Sequence, residues 1–352
     1  MKTTKLAIAV ATTLLASHSA FAAQVYSGDK TTLSIGGYVD VGIGEYFETE
    51  TKVHQVSPRV NIAGEKEIGN GITIDAKGEW AVNYLDGGEE TFKTRLGYIG
   101  ATHAQAGRLV VGTQWSPYYD VAGVADQPIA FANDFVYSNH GNLGSARADK
   151  MVSYRNSFAF SSDMSASFGL GWQGKQTDVQ DTEVLVGNPG TIQVTRATTE
   201  YDTRGQIALS GEFAGFGVGY VYSGGDITDV DTNTTVDANS HVFSAKYGQY
   251  GKGIYAALVW GKNENFYKGL EETLQYEAVA AFGLDNGWNF IVNYEAVDDD
   301  KTDKTQFSES AVQVEYTVAP GFVTFAAYQF DLGNDINVTE NDYWTLGARY
   351  FF

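Results

Sequence analysis

TLSIGGYVDVGIGEYF, residues 32–47, is the stretch that decides the fold. Leu33, Ile35, Gly37, Val39, Val41 and Ile43 fall on alternate positions, and Ser34, Gly36, Tyr38, Asp40, Gly42 and Gly44 fall between them. A period of two sends these sets to opposite faces of a β-strand, one apolar and one polar or small. The alternation returns in SPRVNIAGE from Ser57, where Pro58, Val60 and Ile62 oppose Arg59, Asn61 and Glu65. In DAKGEWAVNYL from Asp75, Trp80, Val82 and Tyr84 oppose Lys77, Glu79 and Asn83. KTRLGYIG from Lys93 sets Leu96 and Tyr98 against Lys93 and Arg95.

Carried to the C-terminus, the pattern gives about sixteen strands, most near the 9–11 residues that cross a bilayer at a barrel's tilt. Tight Gly-rich links such as IGNGI from Ile68, HAQAG from His103 and APGF from Ala319 fall between every second pair. The other links are longer and acidic: QTDVQDTEVLVGNPGTIQ from Gln176, GGDITDVDTNTTVDAN from Gly224 and DDDKTDK from Asp298. Short turns at one rim and long loops at the other mark an outer-membrane barrel. A soluble sandwich would keep its outer faces polar and lacks this rhythm. The expected fold is all-β, a 16-stranded antiparallel transmembrane β-barrel.

The chain opens MKTTKLAIAVATTLLASHSAFA, with a basic start, a short apolar centre and an Ala-Phe-Ala site, the form of a secretory signal peptide. Residues 1–22 are therefore expected to be removed and 23–352 to form one barrel domain. Without Lys2 and Lys5, 21 basic residues face 43 acidic ones, a formal charge of −22. That charge argues against nucleic-acid binding. Cysteine is absent, so no disulfide holds this exported chain together.

One segment breaks the pattern. YYDVAGVADQPIAFANDF, Tyr118 to Phe135, is long, half apolar and free of Lys and Arg. Loops of that length are uncommon unless functional, and surface loops are polar. A barrel of this size encloses water, and irregular backbone at membrane depth is tolerated where it lines a lumen. Residues 116–144, after the fifth strand, are expected to fold inward as a constriction loop. Val121, Val124, Ile129 and Phe131 would anchor it to the wall.

SPRVNIAGE, KTRLGYIG, YYDVAGVADQP, VSYRNS from Val152 and the terminal LGARYFF resemble the trimeric general porins of Gram-negative outer membranes over the whole mature length. The resemblance implies a homotrimer among outer-membrane lipids and lipopolysaccharide, with Phe352 as the signal read by the barrel-assembly machinery. It also implies a pore constriction with a basic wall, matched here by Arg59, Lys93, Arg95 and Arg147. Asp126 matches its loop acid and Glu79 a wall acid. The usual Pro-Glu-Phe-Gly-Gly of the loop is replaced by PIAFAN, leaving Asp120 and Asp134 as substitute acids. A basic residue common on the first strand is replaced by Tyr38.

The implied function is passive diffusion of ions and small hydrophilic solutes, with a weak cation preference from the acidic loops. The alternative is a substrate-selective oligosaccharide porin, with Trp115, Tyr118 and Tyr119 stacking on sugar rings at the pore mouth. A barrel hydrolase needs a supported Ser-His pair, and the five scattered histidines offer none. An adhesin using the acidic loops is a further alternative. GLGWQG at Gly169–Gly174 matches a dinucleotide fingerprint in letters only, since no helix pattern follows. No cofactor or metal is expected, and the acids at 298–300 read as a solvated loop. The reading is of a channel, not an enzyme.

Overall fold

The computed structural model describes residues 22–85, 91–137, 141–186, 191–267, 269–339 and 341–352. Residues 1–21 of the expected signal peptide lie outside the described residues.

Sixteen antiparallel strands run from Thr31–Glu45 to Tyr343–Phe351, each paired with the next. The last pairs with the first, Tyr38 opposite Phe351 through Glu45 opposite Trp344, and the barrel closes. Closure leaves no barrel edge unpaired in lipid. The strand Thr31–Glu45 shows how sequence becomes wall. Val39, Val41 and Ile43 are exposed on the outside, while Tyr38 and Asp40 are buried on the inside. Asn70 and Gly71 both adopt positive φ (52° and 72°), as a two-residue hairpin turn with right-handed strand twist requires.

Among the described residues, four further strands lie outside the closed ring. Ala23–Gly28 pairs with the start of Thr31–Glu45, and Lys52–His54 with its end. Gln176–Val186 and Thr191–Tyr201 form a hairpin where the sequence suggests a plain loop. The next expected loop is likewise paired, because Phe216–Asp229 and Thr234–Gln249 run on together to Asp229 opposite Thr234. Thr- and Val-rich segments extend a ladder beyond the membrane when a neighbouring strand already supplies its template.

KTRLGYIG departs from its expected faces. The ladder between Ile72–Val82 and Phe92–His103 slips at Glu79 and Trp80, so Glu79 pairs with Leu96 and Trp80 with Thr94. The extra residue is Arg95. A bulge reverses alternation beyond it. Leu96, 2% exposed, and Tyr98 therefore share the inner face with Arg95, while Ile99 points outward.

Candidate pore constriction

Ser116 starts the segment that breaks the pattern. Its hydroxyl accepts from Tyr119 N (3.2 Å) and caps a one-and-a-half-turn helix, Pro117–Ala122, with Pro at the first position. The segment then crosses the interior. Val121, Ala122, Ala125 and Val136 pack on Ala208, Val221, Val242, Val259, Val279 and Ile291 of the inner wall. Val124 is partly buried against the same cluster, and Phe131 packs with Ala311, Phe325 and Ala327, with Ile129 beside them.

Three wall glutamates hold the loop backbone. Val136 N donates to Glu277 (2.7 Å), Asp134 N and Phe135 N donate to Glu295 (2.9 and 3.1 Å), and Ile129 N donates to Glu315 (3.2 Å). Gln313 accepts from Ala130 N at 3.0 Å. Loop amides that no secondary structure pairs are thus satisfied inside the barrel. The sequence reading missed these glutamates. Their signal was present: in YEAVAAF, NYEAV and QVEYTV each is an acid on the inner face of its strand, next to Gln275, Asn293 and Gln313 on that face and backed by an apolar outer face.

Glu79 is the centre of the basic wall. Its carboxylate meets Lys77 Nζ and Arg95 Nε at 3.1 Å each and Arg59 at 3.8 Å, with the Glu79 side chain 6% exposed. Arg147, opposite Trp115 at the top of its strand, lies within electrostatic reach of Arg59, Arg95 and Glu79. Lys93 stands apart near the strand's start, exposed. Lys77 joins this cluster, although the sequence marks it only as a polar-face residue of its strand.

The acids divide by role. Asp126 accepts from Tyr119 OH at 2.7 Å and faces Arg59 and Arg95. Burial pushes its carboxyl above the ordinary aspartate value, against the pull of the hydroxyls and guanidiniums around it. Asp120 instead pairs with Arg155 of the VSYRNS segment at 2.6 Å, and Arg155 also donates to Trp115 O at 2.8 Å. That pair ties the helix to the wall, so Asp120 is no substitute for the missing loop acid. Asp134 is exposed, its amide on Glu295.

The aromatic candidates divide as well. Tyr118 is fully buried, stacked near Phe266, with its hydroxyl on Val136 O (3.0 Å) and Ser240 Oγ (2.9 Å). It offers no face to a sugar, which corrects that expectation. Trp115 and Tyr119 stack on each other at 4.1 Å, and the edge of Tyr119 meets Tyr137. Phe352 exchanges backbone hydrogen bonds with Gly37 (3.2 and 3.1 Å) beside the barrel's closing seam. Of the acids at 298–300, Asp300 pairs with Lys262 at 3.1 Å, and Asp299 caps its own turn.

A closed barrel with an apolar exterior and a charged passage defines a membrane channel. A family model described as Gram-negative porin matches residues 7–352, and the chain belongs to that family. Outer membrane protein S2 of Salmonella typhi is 26% identical over 383 aligned positions, covering 96% of this chain and 97% of that protein. Outer membrane porin N of Escherichia coli K12 is 27% identical over 302, covering 80% and 77%. Among solved structures, Salmonella typhi OmpF in complex with daunomycin superposes with a TM-score of 0.74 at 20% identity, covering 94% of this chain and all of that one. The anion-selective porin from Comamonas acidovorans gives 0.66 at 12% identity, covering 92% and 100%. The chain is an outer-membrane channel for small solutes and not an enzyme.

Proposed function

We propose that the loop from Ser116 narrows the barrel to a waist between Asp126 and the basic wall, and that the pore is a general one with a weak cation preference. The observation that carries this reading is the docking of the loop across the interior through Glu277, Glu295 and Glu315, which leaves Asp126 facing Arg59 and Arg95. Opposed charges across a narrow passage set up a transverse field that favours polar solutes. The waist holds Arg59, Lys77, Arg95 and Arg147 against Glu79 and Asp126, a small cationic surplus. The acidic outer loops act the other way on approaching ions, so the two nearly offset.

An oligosaccharide-selective pore fits less well, since Tyr118 is buried and Trp115 and Tyr119 cover one face of each other. Family membership supports a homotrimer, and one similar solved structure, OmpT of Vibrio cholerae, is described as a trimer form. Contacts with lipopolysaccharide, outer-membrane lipids and, through Phe352, the barrel-assembly machinery are proposed on the same footing. The test is sugar uptake by proteoliposomes. A smooth fall in rate with solute size supports a general pore, and saturation by one oligosaccharide overturns it.

A further inference from the structure

Tyr38 occupies the inner face of the first barrel strand, opposite Arg59 on one neighbour and Phe351 on the other. Two guanidiniums lie over its ring, Arg349 at 4.1 Å and Arg59 at 4.7 Å from the centroid. Their surroundings differ. Arg349 is bound to Asp40 by its Nε (3.0 Å) and a terminal nitrogen (2.8 Å), and that pair is almost fully buried. Arg59 lies nearer the passage, its Nε on Ser57 O at 3.2 Å and its closest carboxylate 3.8 Å away.

The scaffold around the ring is complete. Tyr38 OH meets Ser57 Oγ at 3.1 Å, and Asp40 accepts from the amides of Val56 (2.8 Å) and Ser57 (3.3 Å). The two bonds to Asp40 fix the entry of the strand that carries Arg59. The ring covers part of the Arg59 guanidinium, and a charge held beside low-dielectric material projects its field into the passage more strongly.

We propose that Tyr38 is a positioning residue for ion selection: it holds the Arg59 guanidinium in a fixed, poorly screened place at the waist. The aromatic face thus sustains the field of a cation borne on the neighbouring barrel strand. This rests on the channel reading above.

The test is reversal potential in a KCl gradient across planar bilayers, on refolded full-length protein. Tyr38→Phe keeps the ring and retains the wild-type cation-to-anion permeability ratio. Tyr38→Leu admits water beside Arg59 and moves the ratio toward cations by about 1.5- to 2-fold, the scale of one partly screened charge. In an Arg59→Ala background the same change has no effect. An unchanged ratio, a shift toward anions, or an equal shift without Arg59 overturns the proposal. Should Tyr38→Leu fail to give heat-modifiable protein, Tyr38→Thr, a good strand former, is read by the same criteria. A wild-type protein that does not conduct sinks the channel reading itself, whereas a conducting one indifferent to Tyr38 sinks only this inference.

Discussion

Replacing Glu79 by Gln removes the one carboxylate that holds Lys77 and Arg95 at 3.1 Å and Arg59 at 3.8 Å. With Arg147 and Asp126 included, the surplus at the proposed waist rises from two positive charges to three. A unit charge about 7 Å from a permeating ion contributes about 0.6 kcal/mol at the dielectric constant of water. With a Debye length of about 8 Å at physiological ionic strength, that falls to about 0.25 kcal/mol. Anions gain and cations lose about 1.5-fold each, so the cation-to-anion permeability ratio drops about twofold. In about 0.01 M salt, where the Debye length is about 30 Å, the drop grows to about fivefold. Reversal potentials at the two salt concentrations measure both values. A ratio that holds steady, or a drop that does not grow as salt is diluted, refutes the placement of Glu79 at the waist.

Asp126→Asn removes the loop acid facing Arg59 and Arg95 and shifts the reversal potential toward anions by a similar factor. Because burial raises the Asp126 carboxyl above its ordinary value, the wild-type channel itself shifts toward anions as pH falls, and does so at a higher pH than an exposed aspartate would give. Asp126→Asn flattens that part of the profile. Glu277→Ala with Glu295→Ala strands the amides of Asp134, Phe135 and Val136, at about 1–3 kcal/mol for each unsatisfied group. The loop loosens, single-channel conductance and its noise rise, and heat modification occurs at lower temperature. Leu258→Arg places a charge on the mid-strand exterior and costs about 2–4 kcal/mol in a urea folding titration into lipid.

The barrel was legible because each strand carries its own two-faced pattern, and a residue such as Asp40 declares its face by its neighbours alone. The segment from Ser116 was legible as apolar chain without a surface to rest on. What the loop rests on was not. Its docking face is built from Val242, Val259 and Val279 on strands far away in sequence, and alternation by itself does not say which inner faces are dry. Arg155 lay inside a recognised motif, yet its bond to Asp120 spans 35 residues and depends on how the helix is aimed. The bulge at Arg95 has no signature in KTRLGYIG, since ladder slippage belongs to two strands together. Tyr118 looked like a mouth aromatic because exposure is a property of the packed loop. Local periodicity carries face and span, while loop anchoring and register shifts require the closed barrel.

The central claim is a water-filled, selective passage through the membrane. Its most direct test is planar-bilayer recording of the refolded protein across a salt gradient. The account predicts stepwise conductance, in linked triplets if the assembly is a trimer, with a small reversal potential of the cation-preferring sign. Properly folded, heat-modifiable protein that carries no current would contradict it.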